Sequence, residues 1–159
     1  MDRIEKLQKC IDEILFNNKD IVKIRNGYVH LYGVAQACVM LAKKRCLNQE
    51  LAAMAGILHD IYNYQYSYCK DHAQKSAVLS REILQGLEII DSKEIDMICT
   101  AILNHSDKKS IGGVYDELLK DADVLQHCAY NPKSPAAEHE KERYYRLLKE
   151  FRINEHLKC

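Results

Sequence analysis

The run Leu51-Ala-Ala-Met-Ala-Gly-Ile-Leu58 is apolar on every side, and His59 and Asp60 follow it at once. At helical spacing such a segment has no face to give to water, so it belongs inside a bundle with other helices around it. Asn48 ahead of it suits an N-cap, and Glu50 sits in the first turn, where the helix dipole favours a carboxylate. The run therefore predicts a central helix, and it sets a chemical problem at that helix's end. A carboxylate buried there is costly unless something neutralises it. Imidazole and carboxylate are both ligands of divalent first-row metals, so one cation would use both side chains. Adjacent helical residues diverge by about 100°, so the remaining ligands must come from other helices.

The rest of the chain reads as a supply of such helices. Asp2 to about Phe16 places Ile4, Leu7, Ile11, Ile14 and Leu15 on one face. After the turn residues Asn17 to Asp20, a second helix is predicted from about Gly27 to Lys44, with His30, Val34, Ala37 and Leu41 in one stripe. Tyr62-Asn63-Tyr64-Gln65-Tyr66-Ser67-Tyr68 alternates like a strand, but no partner strand exists elsewhere. It reads as a loop or irregular helix end whose tyrosines pack the connection, with stacking on a base or closing a lid as the functional alternative. Asp71-His72-Ala73-Gln74 and Asp91-Ser92-Lys93-Glu94 both have the form of a capping box. The first opens a helix carrying Ala73, Ala77, Ser80, Leu84 and Leu87; the second opens one whose stripe of Ile95, Ile98, Cys99 and Ile102 ends in His105. Tyr115 to His127 forms a further helix containing Asp121-Ala122-Asp123, in which an exposed Asp123–His127 pair is the plain expectation. Ser134 as N-cap and Pro135 at the first helical position then open a last charged helix with Tyr144, Leu147, Leu148 and Phe151 inward. The fold expected is all-α, a compact bundle of six to seven helices forming a single domain over residues 1–159.

Charge and cysteine content narrow the partners. Lys plus Arg and Asp plus Glu both number 23, so no global field draws the chain toward a nucleic-acid polymer or an anionic membrane. Any anion site must be local. The seven cysteines are scattered with no Cys-x-x-Cys pair, as expected of reduced thiols in a cytoplasm. The Met1–Lys6 segment is polar and no run approaches bilayer-spanning length, so a soluble cytoplasmic protein is expected.

Four histidines and two carboxylates, His30, His59, Asp60, His72, His105 and Asp123, thus fall at the ends or inner faces of five predicted helices. A single histidine on an apolar face is more often a hydrogen-bonded core residue than a ligand. Several together each need a buried partner, and one shared metal centre would satisfy them all.

This order resembles the HD-domain superfamily of metal-dependent phosphohydrolases: His30, then His59-Asp60 after an apolar helix, then Asp123 in Lys120-Asp121-Ala122-Asp123-Val124-Leu125, spanning about residues 29–125. The resemblance implies that His30, His59, Asp60 and Asp123 bind one divalent ion (Mn, Fe, Mg, Ni or Zn). Asp123 rather than Asp121 matches the family's ligand. His72 and His105 match the extra histidines of members that hold a second ion, with Asp60 as the bridge. With a single ion, the same histidines would instead bind phosphate or move protons. Two basic positions common in the family differ: Val124 follows the Asp, and Ile61-Tyr62-Asn63-Tyr64 stands where a lysine often follows His-Asp. Lys75, Lys108 and Lys109 remain as candidates for the substrate phosphate.

The function implied is hydrolysis of a small phosphomonoester or nucleotide by metal-activated water, with Asp60, His72 and His105 as the catalytic residues. A homodimer is compatible with the sequence. Three other readings compete. One is a di-iron oxygenase on the same scaffold, another a non-catalytic module that binds a nucleotide without turning it over, and the third, narrower, a dinucleoside-polyphosphate hydrolase.

Overall fold

The computed structural model describes residues 1–66, 70–131, 133 and 136–153. The elements run α1 (Arg3–Phe16), α2 (Ile21–Gly27), a π turn (Tyr28–Tyr32), α3 (Gly33–Lys44), α4 (Gln49–Leu58), α5 (Ile61–Tyr66), α6 (His72–Leu87), α7 (Ser92–Asn104), α8 (Val114–Tyr130) and α9 (Lys141–Glu150). Seven of these helices have ten or more residues, and α2 and α5 are short. No strand occurs among the described residues, so the all-α bundle expected from the sequence is the fold. None of these helices is long and apolar enough to cross a membrane.

The apolar run lies at the centre. Every residue from Leu51 to Leu58 is buried, and α4 touches α1, α3, α6, α7, α8 and the π turn. Its most extensive packing is on α3, where Gly56 faces the backbone of Val34 and Ala35. The stripes read from periodicity supply the surrounding walls: Leu7, Ile11 and Leu15 from α1, Val34, Cys38 and Leu41 from α3, Ile95, Ile98 and Ile102 from α7, and Leu118, Leu119 and Ala122 from α8.

Local signals set most helix starts. Asp2 and Glu5 form a reciprocal capping box on α1, Asn48 accepts from Glu50 and Leu51 N–H on α4, and Asp91 and Glu94 form the box of α7. Four expectations are corrected. The box expected at Asp71 does not form, because Asp71 is left-handed (φ 56°), not in the extended conformation that aims an N-cap side chain at the helix N–H groups. The chain between α1 and α3 is already helical from Ile21, capped by Asp20, and it passes into α3 through the π turn. Ile61 to Tyr66 is a helical turn in which the Tyr62 and Tyr66 rings meet with centroids 4.6 Å apart, a contact that i, i+4 spacing makes possible; Ser67 and Tyr68 lie outside the described residues. Finally, Ala136 and Ala137 are not helical and α9 starts at Lys141, after Glu140; the Ser134 and Pro135 expected to open it lie outside the described residues.

A buried ion cluster ties α9 to the bundle. Asp121 Oδ1 accepts from Arg143 (2.6 Å) and Arg146 (3.0 Å), and Oδ2 from Arg45 (2.7 Å). Arg143 also donates to the Lys108 carbonyl at 3.2 Å and to Glu117 at 2.9 Å. Lys120, fully buried, donates to the Ser110 carbonyl at 2.8 Å. The segment between α7 and α8, which carries Lys108, is thereby held against the helices on both sides of it.

Candidate metal centre

Two helix ends prepare their histidines in the same way. A helix leaves its last carbonyls without intrahelical donors. His59 is the C-cap of α4, with Nδ1 2.8 Å from the Gly56 carbonyl; His105 is the C-cap of α7, with Nδ1 2.6 Å from the Ile102 carbonyl. An imidazole beside a carbonyl donates from that nitrogen, so in both residues Nε2 is left as the bare one. His30 reaches a similar state by another route. It is the middle residue of the π turn, and its Nδ1 is 2.9 Å from Gln126 Oε1 on α8. The turn is held from behind by Asp12 on α1, whose Oδ1 accepts from the hydroxyls of Tyr28 (2.8 Å) and Tyr32 (3.2 Å). π turns recur at functional sites because the extra residue re-aims side chains.

These nitrogens converge on two carboxylates. Asp60 divides its oxygens: Oδ2 faces Nε2 of His30 (3.7 Å) and of His59 (3.9 Å), while Oδ1 faces Nε2 of His72 (3.6 Å) and of His105 (3.5 Å). Asp123 Oδ1 faces Nε2 of His30 (3.7 Å), His59 (3.8 Å) and His127 (3.4 Å). Asp123 Oδ2 accepts from Lys108 Nζ at 2.5 Å.

The polar groups are left in a state that calls for a cation. Asp60 Oδ1 and Asp123 Oδ1 are buried without a hydrogen-bond partner, and Nε2 of His30 and His59 stand 3.0 Å apart, which with both rings neutral and Nδ1–H donating brings two lone pairs together. Buried carboxylate oxygens are normally satisfied, and leaving them bare is expensive. A divalent ion resolves both conflicts together: nitrogens at roughly 2.1 Å from one ion stand about 3 Å apart at a right angle. The sets His30–His59–Asp60, His59–His105–Asp123 and Asp60–His72–His105 each bring one ligand atom per residue within 4.8 Å of the others. The six residues singled out from the sequence therefore fit one centre or two that share Asp60.

Electrostatics hold His59, Asp60 and Asp123 in their binding forms, whereas His30, which burial alone would push down, is raised by Asp60, Asp123 and Gln126, so that a metal there would displace a proton. Burial drives the His59 pKa down to about 3, so its imidazole is neutral. Burial alone would raise Asp60, but His59, His105 and His30 around it hold it well below the usual carboxylate range. Asp123 is likewise depressed against the effect of burial, chiefly by Lys108 and then by His59, His127 and His30.

The three candidate lysines separate. Lys108 is at the centre, on Asp123. Lys75 stands over the Tyr62 ring at 5.3 Å and lines a separate cavity with Tyr62, Tyr66 and Gln74. Lys109 lines another, with Glu138, Glu142 and Arg146. Two residues at the centre were not singled out. Gln126 orients His30, and His127 stacks on the His30 ring (5.2 Å, 11°) with Nδ1 3.2 Å from Glu140 Oε1. The Asp123–His127 pair is not an exposed surface contact, because Asp123 is buried beneath it. Positions three and four after Asp123 on one helix lie on its face, and that spacing was the signal available for both.

Searches of curated proteins and of solved structures gave no significant match. The family model of the HD domain, however, matches residues 27–128, well over half of the chain, and the match takes in all six ligand candidates. The ordered histidines and aspartates, the helical bundle and this match together make the chain a member of the HD-domain family.

Proposed function

We propose that the protein is a metal-dependent phosphohydrolase acting on a small phosphorylated substrate, a nucleotide among the candidates. The observation that carries this reading is the division of Asp60 between two pairs of histidines, with one of its oxygens buried and unsatisfied. His30, His59, Asp60 and Asp123 would hold one divalent ion, and Asp60, His72 and His105 would hold a second. Ions bound there supply Lewis acidity toward a phosphoryl oxygen and a hydroxide nucleophile near neutral pH.

The chain's own groups divide the remaining work. Gly56, Ile102 and Gln126 fix the tautomers of His59, His105 and His30. Lys108 neutralises the second oxygen of Asp123 and is the lysine nearest to hand for a phosphoryl oxygen. His105 has a single free nitrogen, so it either binds an ion or carries a proton to the leaving oxygen, not both. The number of bound ions decides which.

The test is element analysis of the purified protein joined to phosphate release from a panel of nucleotides and sugar phosphates. Wild type should carry divalent metal and release phosphate, and Asp60→Ala should lose both. An Asp60→Ala protein with full metal and activity overturns the assignment. Iron with oxygen consumption and no phosphate release would replace it with the oxygenase, and tight nucleotide binding without product would replace it with the regulatory module.

A further inference from the structure

The centre opens into a cavity of about 490 Å³, and the arginine on its wall has no role in the account so far. His30, Asp60 and His127 of the centre share its lining with Asn26, Tyr64, Gln126, Tyr130 and Arg25. Arg25 lies in the last turn of α2, exposed, and its side chain makes no hydrogen bond or ion pair among the described residues. The lysines do not compete for its place. Lys108 is paired with Asp123 and, like Lys109, lines a different cavity, and Lys75 lines a third. Arg25 is thus the one lysine or arginine on this wall among the described residues.

A phosphoryl group beside His30 and Asp60 would have its charge met by the ions bound there. A further permanent cation without a partner, on the wall of the same cavity, is superfluous for a simple phosphomonoester. A guanidinium presents a planar fork of donors that suits a phosphate and that cannot be deprotonated near neutral pH. The cavity is also large for one phosphate: about 300–1,000 Å³ is the range for sites that enclose an organic ligand. Its lining also offers two amides and two tyrosine rings, surfaces that suit a body with both polar edges and a flat face.

Resting on the phosphohydrolase reading, we propose that the substrate is an organic phosphate carrying a second phosphate group, and that Arg25 binds that second group while the first is cleaved at the centre. The selectivity then belongs to Arg25 and is separable from the chemistry.

The experiment compares wild type, Arg25→Ala and Arg25→Lys on matched substrates: a nucleoside 5′-monophosphate, the 5′-diphosphate and the 3′,5′-bisphosphate of the same nucleoside. Wild type should favour one of the doubly phosphorylated compounds. Arg25→Ala should cut the ratio of its kcat/KM to that of the monophosphate about tenfold or more, the size expected for hydrogen bonds to a charged group, and Arg25→Lys should retain part of it. A ratio equal in wild type and Arg25→Ala overturns the proposal. A parallel calorimetric arm uses Mn²⁺-loaded protein freed of excess metal, titrated with methylenediphosphonate and with methylphosphonate. An Arg25-dependent gain in affinity for the diphosphonate supports the proposal even if no ester is hydrolysed, an outcome that would sink the phosphohydrolase reading alone. Hydrolysis of monophosphates with no Arg25-dependent ratio in either arm sinks this inference alone.

Discussion

Replacing Gly56 with alanine should test whether the metal centre depends on how closely α4 approaches α3. A Cβ at Gly56 would stand 2.6 Å from Ala35 Cα, 2.8 Å from Ala35 N and 3.1 Å from Val34 C. All three are backbone atoms of α3 and cannot swing aside. Comfortable carbon contacts need about 3.5–4.0 Å, so the helices must part locally by roughly 1 Å. Two effects compete. Alanine gains about 1 kcal/mol over glycine in a helix interior, while overpacking a tight core costs about 1–3 kcal/mol, with a rigid obstacle placing this site at the upper end. The clash therefore wins, by about 2 kcal/mol, which for a chain of this size lowers Tm by about 4–8 °C. Gly86 on α6 is the control: a Cβ there meets nothing within 4 Å, so Gly86→Ala should raise stability by about 0.5–1 kcal/mol through helix propensity alone. Because the Gly56 carbonyl accepts from His59, Gly56→Ala should also weaken metal binding, and Gly86→Ala should not. Thermal unfolding of the metal-free proteins followed by circular dichroism, with metal titration of each, reads both effects. A Gly56→Ala protein at least as stable as wild type would refute the packing argument.

Three further outcomes separate the roles of neighbouring residues. Asp121→Asn should destabilise the fold by about 3 kcal/mol in urea unfolding, because Arg143 and Arg45 lose their buried carboxylate, yet leave metal stoichiometry intact; Asp123→Asn should lose metal. Equal metal loss in both would contradict that division. Gln126→Ala should weaken metal affinity about tenfold, the usual result of removing a group that orients a ligand histidine, and unchanged affinity would mean that His30 needs no such support. Glu117 should make stability acid-sensitive. Burial pushes its carboxyl up, but the Gly112 N–H, Arg143 and Lys120 outweigh this and hold it below the ordinary 4.5. A depressed pKa contributes fully above about 4.5 and is lost as pH falls through the folded value. The stability gap between wild type and Glu117→Gln, measured by urea unfolding, should therefore close on acidification, and a gap that stayed constant down to about pH 3 would contradict it.

The central helix, the buried stripes and the six ligand candidates were legible because each rests on a local rule. Leu51–Leu58 has no polar face, Asp2 and Asp91 stand three residues before a glutamate, and His59 and His105 follow directly on apolar stripes. What escaped depended on tertiary context. The π turn at His30 needs Asp12, far back in the chain, to hold Tyr28 and Tyr32. Asp71 has capping-box spacing but a left-handed backbone, and spacing carries no information about φ. Lys75, Lys108 and Lys109 looked equivalent in sequence, and only packing shows that Lys108 alone of the three pairs with Asp123. Asp121 and Asp123 are two residues apart in one helix and turn to opposite tasks, an arginine cluster and the metal centre.

The central claim is that Asp60 joins two histidine pairs around divalent ions, and anomalous scattering from crystals of the Mn²⁺-loaded protein tests it most directly. The account predicts two peaks: one bounded by His30, His59, Asp60 and Asp123, the other by Asp60, His72 and His105, with the Asp60 carboxylate between them. A lone peak on the His30 side would remove the bridge and turn His72 and His105 into proton carriers. No peak among these six residues, or manganese held elsewhere in the fold, would contradict the account outright.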